Sequence, residues 1–441
     1  MLADRPAPRT ALLCLVALTA AMPVWAGSWS TPVVLANNAY SGSVALDSAG
    51  NMVAVWNLDS PTLNEIQAST AAFGHPWSAP VNLSGTITGA GNPIVHSSAT
   101  GNATAIFTNN SGAGATLFAD HPHGGNWSTA ATMNGVNQFF VSNDNGDQGL
   151  AWGTGTSRTA SNTVGAVVRL AGGAWSAVTT LASGAHFVFD GATMGPDGTM
   201  AVAWESYNSV CGSRVCKTSN WVLHVSTLAH GSQTWVDSGA LLGPDATQHF
   251  SQLAADGVAD LGVVALSGGN IVSLVRHGSA WTAPAVIAST SAVGFNTGTG
   301  RDNRIFATDI SGHATLVGWG PGLFSLVAVD GNLTTNTWGK VTTISGSDQN
   351  PGYFDYAMSE SGAAIVFWWT SGTNSNTTWR AATRSGPGVA WNAPATVGTS
   401  FDAGGVPESV AINSAGQAAV VFHGYSSDFL TYIEYTNTYQ P

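Results

Sequence analysis

Few side chains in this 441-residue chain are equipped to do chemistry, since only 8% of it is charged. Carboxylates come first: Glu205, Asp348, Asp355, Asp402 and Glu408 recur along the chain, and two of them held about 5 to 10 Å apart across a sugar would act as the acid and base of a glycosidase. Arg301, Asp302 and Arg304 stand together in G-RDNR. Paired guanidiniums of this kind grip a carboxylate or sulfate through bidentate hydrogen bonds, unless Asp302 neutralises them. His249 and Tyr353 add an imidazole and a phenol to the same candidate binding set.

Metal and nucleophile chemistry is poorly provided for. The D-HPH segment, Asp120 to His123, resembles a ligand cluster but carries proline between its histidines, and Asn143-Asp144-Asn145-Gly146-Asp147 lacks the spacing and distal glutamate of a calcium loop. No metal and no cofactor is expected. A Gly-x-Ser-x-Gly elbow is absent from the sequence. Cys211 and Cys216 flank a Gly-Ser turn in V-CGSRVC-K; in an oxidising compartment such a pair is expected to form a small structural disulfide.

The elements that must position these groups are announced by repetition. Trp29, Trp77, Trp127, Trp175, Trp235, Trp281, Trp338 and Trp391 open similar segments, spaced 48, 50, 48, 60, 46, 57 and 53 residues apart. Between them a hairpin glycine recurs at Gly50, Gly101, Gly146, Gly198, Gly312, Gly362 and Gly416, and six residues later stands Trp56, Phe107, Trp152, Trp204, Trp368 or Phe422. The unit at Gly312 shifts its ring to Trp319, and the unit around Gly257 has only aliphatics there. A period near 50 residues, alternating apolar positions and no amphipathic helical face predict an all-β chain of four-stranded propeller blades.

In this parsing the chain begins with an isolated outer strand (Trp29 to Leu35) and ends with three strands that lack one. The two ends complete each other, which predicts a single ring over 27–441 of eight blades, or seven if one unit is malformed, closed by the N-terminal strand. Most of the 17 tryptophans are thereby assigned to blade packing. Sugar-stacking rings are then expected among Trp221, Trp369, Trp379 and the loop tyrosines. The carboxylates above, with His249, Tyr353 and the G-RDNR segment, fall in connections that share one rim of the ring, the usual place for binding on a rigid scaffold.

Arg5 and Arg9 precede an apolar run from Ala11 to Met22 and a small-residue cleavage site at Val24-Trp25-Ala26, so residues 1–26 read as a secretory signal peptide. Cys14 follows Leu12 and Leu13, not a small residue, which disfavours a lipid anchor. The protein is expected in the periplasm or the medium. Past residue 26 remain 23 acidic and 10 basic residues, a formal charge of −13, which argues against nucleic acid and anionic membrane as partners. No later apolar run is long enough for a transmembrane helix.

The repeat geometry resembles that of secreted bacterial β-propellers, an assembly that includes sialidase-like and lectin-type propellers. Asp47-Ser48-Ala49-Gly50 comes nearest the sialidase turn signature of Ser, Asp, Gly and a closing Thr-Trp, and lacks that ending. Sialidase-like chemistry would need three converging arginines, a tyrosine nucleophile with its base, and an acid. Arg169, Arg276 and Arg384 fall just before repeated tryptophans and read as blade-edge residues. The expectation is a non-enzymatic exported propeller that binds carbohydrate or a surface polymer through its rim loops. The alternatives are a sialidase-like glycosidase or polysaccharide lyase using the carboxylates above, and a structural protein-interaction scaffold.

Overall fold

The computed structural model describes residues 27–441 except 60–63, 88, 110–114, 134–138, 155–161, 185, 212–215, 258–259, 295–304, 324, 347, 349–350, 372–376, 401–406 and 426–430. Residues 1–26, expected to be a signal peptide, and Arg301, Asp302, Arg304 and Asp402 thus lie outside the described residues. Eight antiparallel sheets form an eight-bladed β-propeller. Their innermost strands are Ala39–Leu46 (blade 1), Ala90–Ser97 (blade 2), Phe139–Ser142 (blade 3), Phe187–Met194 (blade 4), Gln252–Ala255 (blade 5), Phe306–Thr308 (blade 6), Pro351–Met358 (blade 7) and Pro407–Ile412 (blade 8). In blades 4 and 5 the outermost strand is split in two, both pieces pairing with the third strand.

The ring closes as the two half-blades at the chain ends require. Ser28–Trp29 and Val33–Asn37 both pair with the last strand, Tyr432–Gln440, with Trp29 opposite Tyr439 and Val33 opposite Thr436. The Trp29 and Tyr439 rings lie 5.4 Å apart. Outer strands are edges open to pairing with another chain, and Pro32, Pro80, Pro284 and Pro394, each three residues after a repeated tryptophan, interrupt that edge with a residue that cannot donate a backbone hydrogen bond.

All eight repeated tryptophans are half-buried and packed against the core clusters between sheets. The second-strand rings Trp56, Phe107, Trp152, Trp204, Trp368 and Phe422 are buried outright. Trp319 stands seven residues after its glycine, not six. Its ring meets Phe354 of the next blade edge-on at 5.2 Å. In blade 5, which has no ring at this position, Leu253, Val263, Val264 and Leu274 fill the space.

Each innermost strand ends in a tight turn to the second strand, on what is called here the turn face. Its glycines adopt φ between 78° and 90° at the seven repeated positions, a conformation open to glycine at little cost. The first residue of the turn is Asp, Asn or Ser in most blades and caps the turn. The Asp309 carboxylate, for example, accepts from the backbone N–H groups of Ser311 and His313, both at 2.9 Å. Neighbouring turns are tied together: Ala99 N–H donates to the Asp144 carbonyl (2.9 Å), Gly257 N–H to Ile310 (3.1 Å) and Ile310 N–H to Glu360 (3.1 Å).

Arg169 and Arg384 are seam residues. Arg169 donates two bonds to the Asp120 carboxylate of the preceding blade (2.8 and 2.7 Å) and lies 5.0 Å over the Trp175 ring. Arg384 repeats this with Asp330 (2.7 Å) and Trp391 (4.8 Å). Burial alone would raise the Asp120 pKa, but the Arg169 and Thr104 donors outweigh it and hold the carboxyl below the usual range.

Candidate functional site

The innermost strands of blades 3 to 7 surround a central channel of about 580 Å³. Its end on the opposite, loop face carries Phe139, Phe189, Phe250, Gln248 and Asp190. The Phe139 and Phe189 rings meet edge-on at 6.0 Å. Asp190 occupies a bulge between Phe189 and Gly191, which turns one extra residue out of the ladder. Its carboxylate accepts from Ser251 N (3.1 Å), Ser251 Oγ (2.9 Å) and Gln248 Nε2 (3.3 Å), so one side chain clasps blade 4 to blade 5 while still lining the channel.

Directly behind Asp190 stands Glu205, fully buried. Its Oε1 accepts from the backbone N–H groups of His249 (3.0 Å) and Phe250 (2.9 Å), and its side chain is hydrogen-bonded to Asp190. Loss of water and the neighbouring Asp190 charge push the Glu205 pKa up to about 10. Glu205 therefore keeps its proton at neutral pH and is hydrogen-bonded to Asp190, sealed away from the channel. His249 is also buried, its Nδ1 2.8 Å from the Leu266 carbonyl and its Nε2 3.3 Å from that of Trp221.

The other described candidates, Asp348, Tyr353, Asp355 and Glu408, belong to blades 7 and 8 and to the connection before blade 7. Asp355 accepts from Val410 N–H of the next blade at 3.0 Å. Glu408 accepts from Ser41 N–H (2.5 Å) and Gly42 N–H of blade 1 and pairs with His423 Nδ1 at 2.7 Å. Asp348 is held by Arg380, with Nε at 2.9 Å. Tyr353 is 39% exposed. The strand register sets Cys211 opposite Cys216 at the tip of a long hairpin, a pairing whose Cα separation lies in the range a disulfide spans; their side chains lie outside the described residues.

Trp221 and Trp379 are buried, Trp221 stacking on Tyr207 at 4.3 Å, and Trp369 is half-buried. The aromatic surface of the channel is instead phenylalanine. Among the described residues no group of three or more His, Cys, Asp or Glu is gathered to hold a metal. Asp120 of D-HPH is engaged by Arg169, and His121 packs against Trp127 at 4.9 Å. Asn143 and Asp147 make the turn contacts of blade 3, Asn143 Oδ1 accepting from Asp147 N–H at 2.9 Å. Among the described residues no helix is long and apolar enough to cross a membrane.

Missing from the sequence-derived set are Asp190, Gln248 and the phenylalanines. Asp190 follows F-V-F in an innermost strand and reads as one more alternating position. Only the glycine after it hints at a bulge.

No protein-family model and no curated protein matches the chain. Among solved structures it is similar to prolyl oligopeptidase B from Galerina marginata, with 9% identity over 93% of this chain and 55% of that one and a TM-score of 0.51. It is also similar to the Hadza microbial sialidase Hz136 (12% identity, 75% and 63% of the chains, TM-score 0.37) and the polysaccharide lyase Uly1 (10% identity, 74% and 87%, TM-score 0.44). The chain spans about half the length of the oligopeptidase. At 9% identity the likeness to the oligopeptidase is one of fold alone.

Proposed function

We propose that this protein is an exported, non-enzymatic binding propeller that takes a carbohydrate or surface polymer at its loop face, with the phenylalanine-lined end of the channel as the seat. One observation carries the reading. Phe139, Phe189 and Asp190, on innermost strands whose positions the ring fixes, line the cavity together with Gln248 and Phe250 from the connection that leads into the blade 5 strand, and flat rings beside amide and carboxylate groups suit a polyhydroxylated ligand. Binding is favoured over hydrolysis because Glu205, Asp355 and Glu408 spend their oxygens on backbone N–H groups of the next blade, and Asp348 on Arg380.

The test is a glycan-array screen of the exported protein, followed by product analysis of every glycan retained. Retention without turnover is the expected result. Release of shortened or unsaturated sugars would establish a glycosidase or lyase and overturn the reading, and the absence of any retained glycan would leave the scaffold.

A further inference from the structure

The channel is amphipathic along its axis, and its second end has a chemistry of its own. At the turn face the cavity is lined by the second residues of four turns, Asp144, Pro196, Ile310 and Glu360. The charged side chains lining the whole cavity are Asp144, Asp190 and Glu360; among the described residues no Lys, Arg or His lines it. The two carboxyls at the turn face come from blades 3 and 7, yet they feel each other. Burial, then the Asp47 charge, raises the Asp144 pKa, and burial, then the Asp144 charge, raises that of Glu360.

The fold fixes the backbone from which both acids project. The Asp144 carbonyl is bonded to Ala99 N–H at 2.9 Å and the Glu360 carbonyl to Ile310 N–H at 3.1 Å, so the inter-blade ties that close the turn face also set where both acids start. Asp120 and Asp330, in contrast, each meet a guanidinium. A ligand bringing positive charge into the channel would relieve a repulsion that the lining leaves in place.

We infer that the channel takes an amine-bearing glycan, with its ammonium groups at Asp144 and Glu360 and its sugar faces against Phe139, Phe189 and Phe250. A cavity of about 580 Å³ lies within the ordinary range of ligand sites, about 300 to 1,000 Å³. This inference rests on the glycan-binding reading above and adds the charge of the glycan to it.

Calorimetric titration of the exported protein with short glucosamine oligomers and with their N-acetylated counterparts, near pH 7, separates the two claims. At about 0.01 M ionic strength, where charges act over roughly 30 Å, the free amines should bind about tenfold more tightly; at about 1 M, where the range is roughly 3 Å, the gap should close. Asp144→Asn and Glu360→Gln should each lose most of the preference for the amine and keep the acetylated affinity, which also shows that the variants fold. Neither should lower the melting temperature, since each removes a charge that the fold holds under repulsion. Equal binding of both ligands at low salt would overturn the amine inference and leave the glycan reading standing. Binding of neither would overturn both. Stoichiometric calcium uptake that abolishes amine binding would reassign the acids to a metal and overturn the inference as well.

Discussion

Replacing Glu205 by Gln should stabilise this protein, by an amount that grows with pH. A carboxyl whose folded pKa lies above its unfolded one contributes stability that is fully present below the unfolded pKa and is lost as pH rises through the folded value. For Glu205 that window runs from about 4.3, the free-side-chain value, to about 10. Within it the folded chain must hold a proton that the unfolded chain has released, a penalty of about 1.4 kcal/mol per pH unit, or about 3 to 4 kcal/mol at pH 7. Glutamine is neutral in both states and keeps the shorter contacts: its Oε1 accepts from His249 and Phe250 N–H as Glu205 Oε1 does, and its Nε2 donates to Asp190, while the longer 3.2 Å contact from His249 N–H to the second oxygen is lost. For 441 residues the unfolding entropy is roughly 0.9 kcal/mol/K, so the gain at pH 7 corresponds to about 3 to 4 °C. Paired urea titrations of wild type and E205Q at about pH 5, 6, 7 and 8 read the difference directly. A difference that stays flat across that range, or a variant less stable at pH 7, would show that Glu205 is ionised in the folded protein and refute the reasoning.

Deleting residues 28–36 removes the strands that complete blade 8 and should broaden the thermal transition and drive association through the bared edge of Tyr432–Gln440, as light scattering after size exclusion would register; a monomer with an unchanged melting temperature would refute closure. Cys211 and Cys216, opposite each other in the ladder, should be oxidised after native export, an intact mass two hydrogens below the reduced chain; two free thiols would end that proposal. Gly198 and Gly172 both adopt positive φ, but a Cβ at Gly198 would stand 2.4 Å from His230 Cδ2 and 2.8 Å from Asp147 Oδ2, while nothing lies within 4 Å of one at Gly172. G172A should therefore cost only the left-handed penalty of about 1 to 2 kcal/mol, and G198A about 1 to 3 kcal/mol more, in parallel denaturant titrations; equal losses would count against the close packing of adjacent turns.

The architecture was legible because blades must pack against copies of themselves. A ring at one depth in one sheet needs a ring or its equivalent in the next, so Trp77, Trp127 and Trp175 had to recur at near-constant spacing, and the turn glycines with them. The two irregular units were visible for the same reason, although the remedy was not. Trp319 turns to Phe354, and blade 5 substitutes Leu253, Val263 and Leu274 for a ring, neither of which spacing could specify. The rim carboxylates were placed near the loop face by strand order, which is a local inference. Their partners were not, because whether Glu408 meets solvent or the N–H groups of Ser41 and Gly42 depends on how the first and last blades abut, some 366 residues apart.

The site is harder to read than the scaffold because its residues are the ones that the repeat does not dictate. At the second position of the turns the fold uses only backbone where Ala99, Gly257 and Ile310 donate to the next turn. Those ties do not need the side chain, although Ser48 Oγ adds one to the Ala99 carbonyl at 3.1 Å, and accordingly the residue is Ser48, Ala99, Asp144, Pro196, Gly257, Ile310, Glu360 and Ser414 around the ring. No structural demand selects an acid at two of these eight positions, and both acids carry a raised pKa, so each subtracts from stability at neutral pH. Asp190, at the other end, differs: a bulge gives it up from the ladder, and it serves the fold by clasping blade 4 to blade 5 while it keeps a place in the channel wall. Positions that cost the fold something and return nothing to it are where a ligand's contribution is to be sought, and in this ring they face the channel.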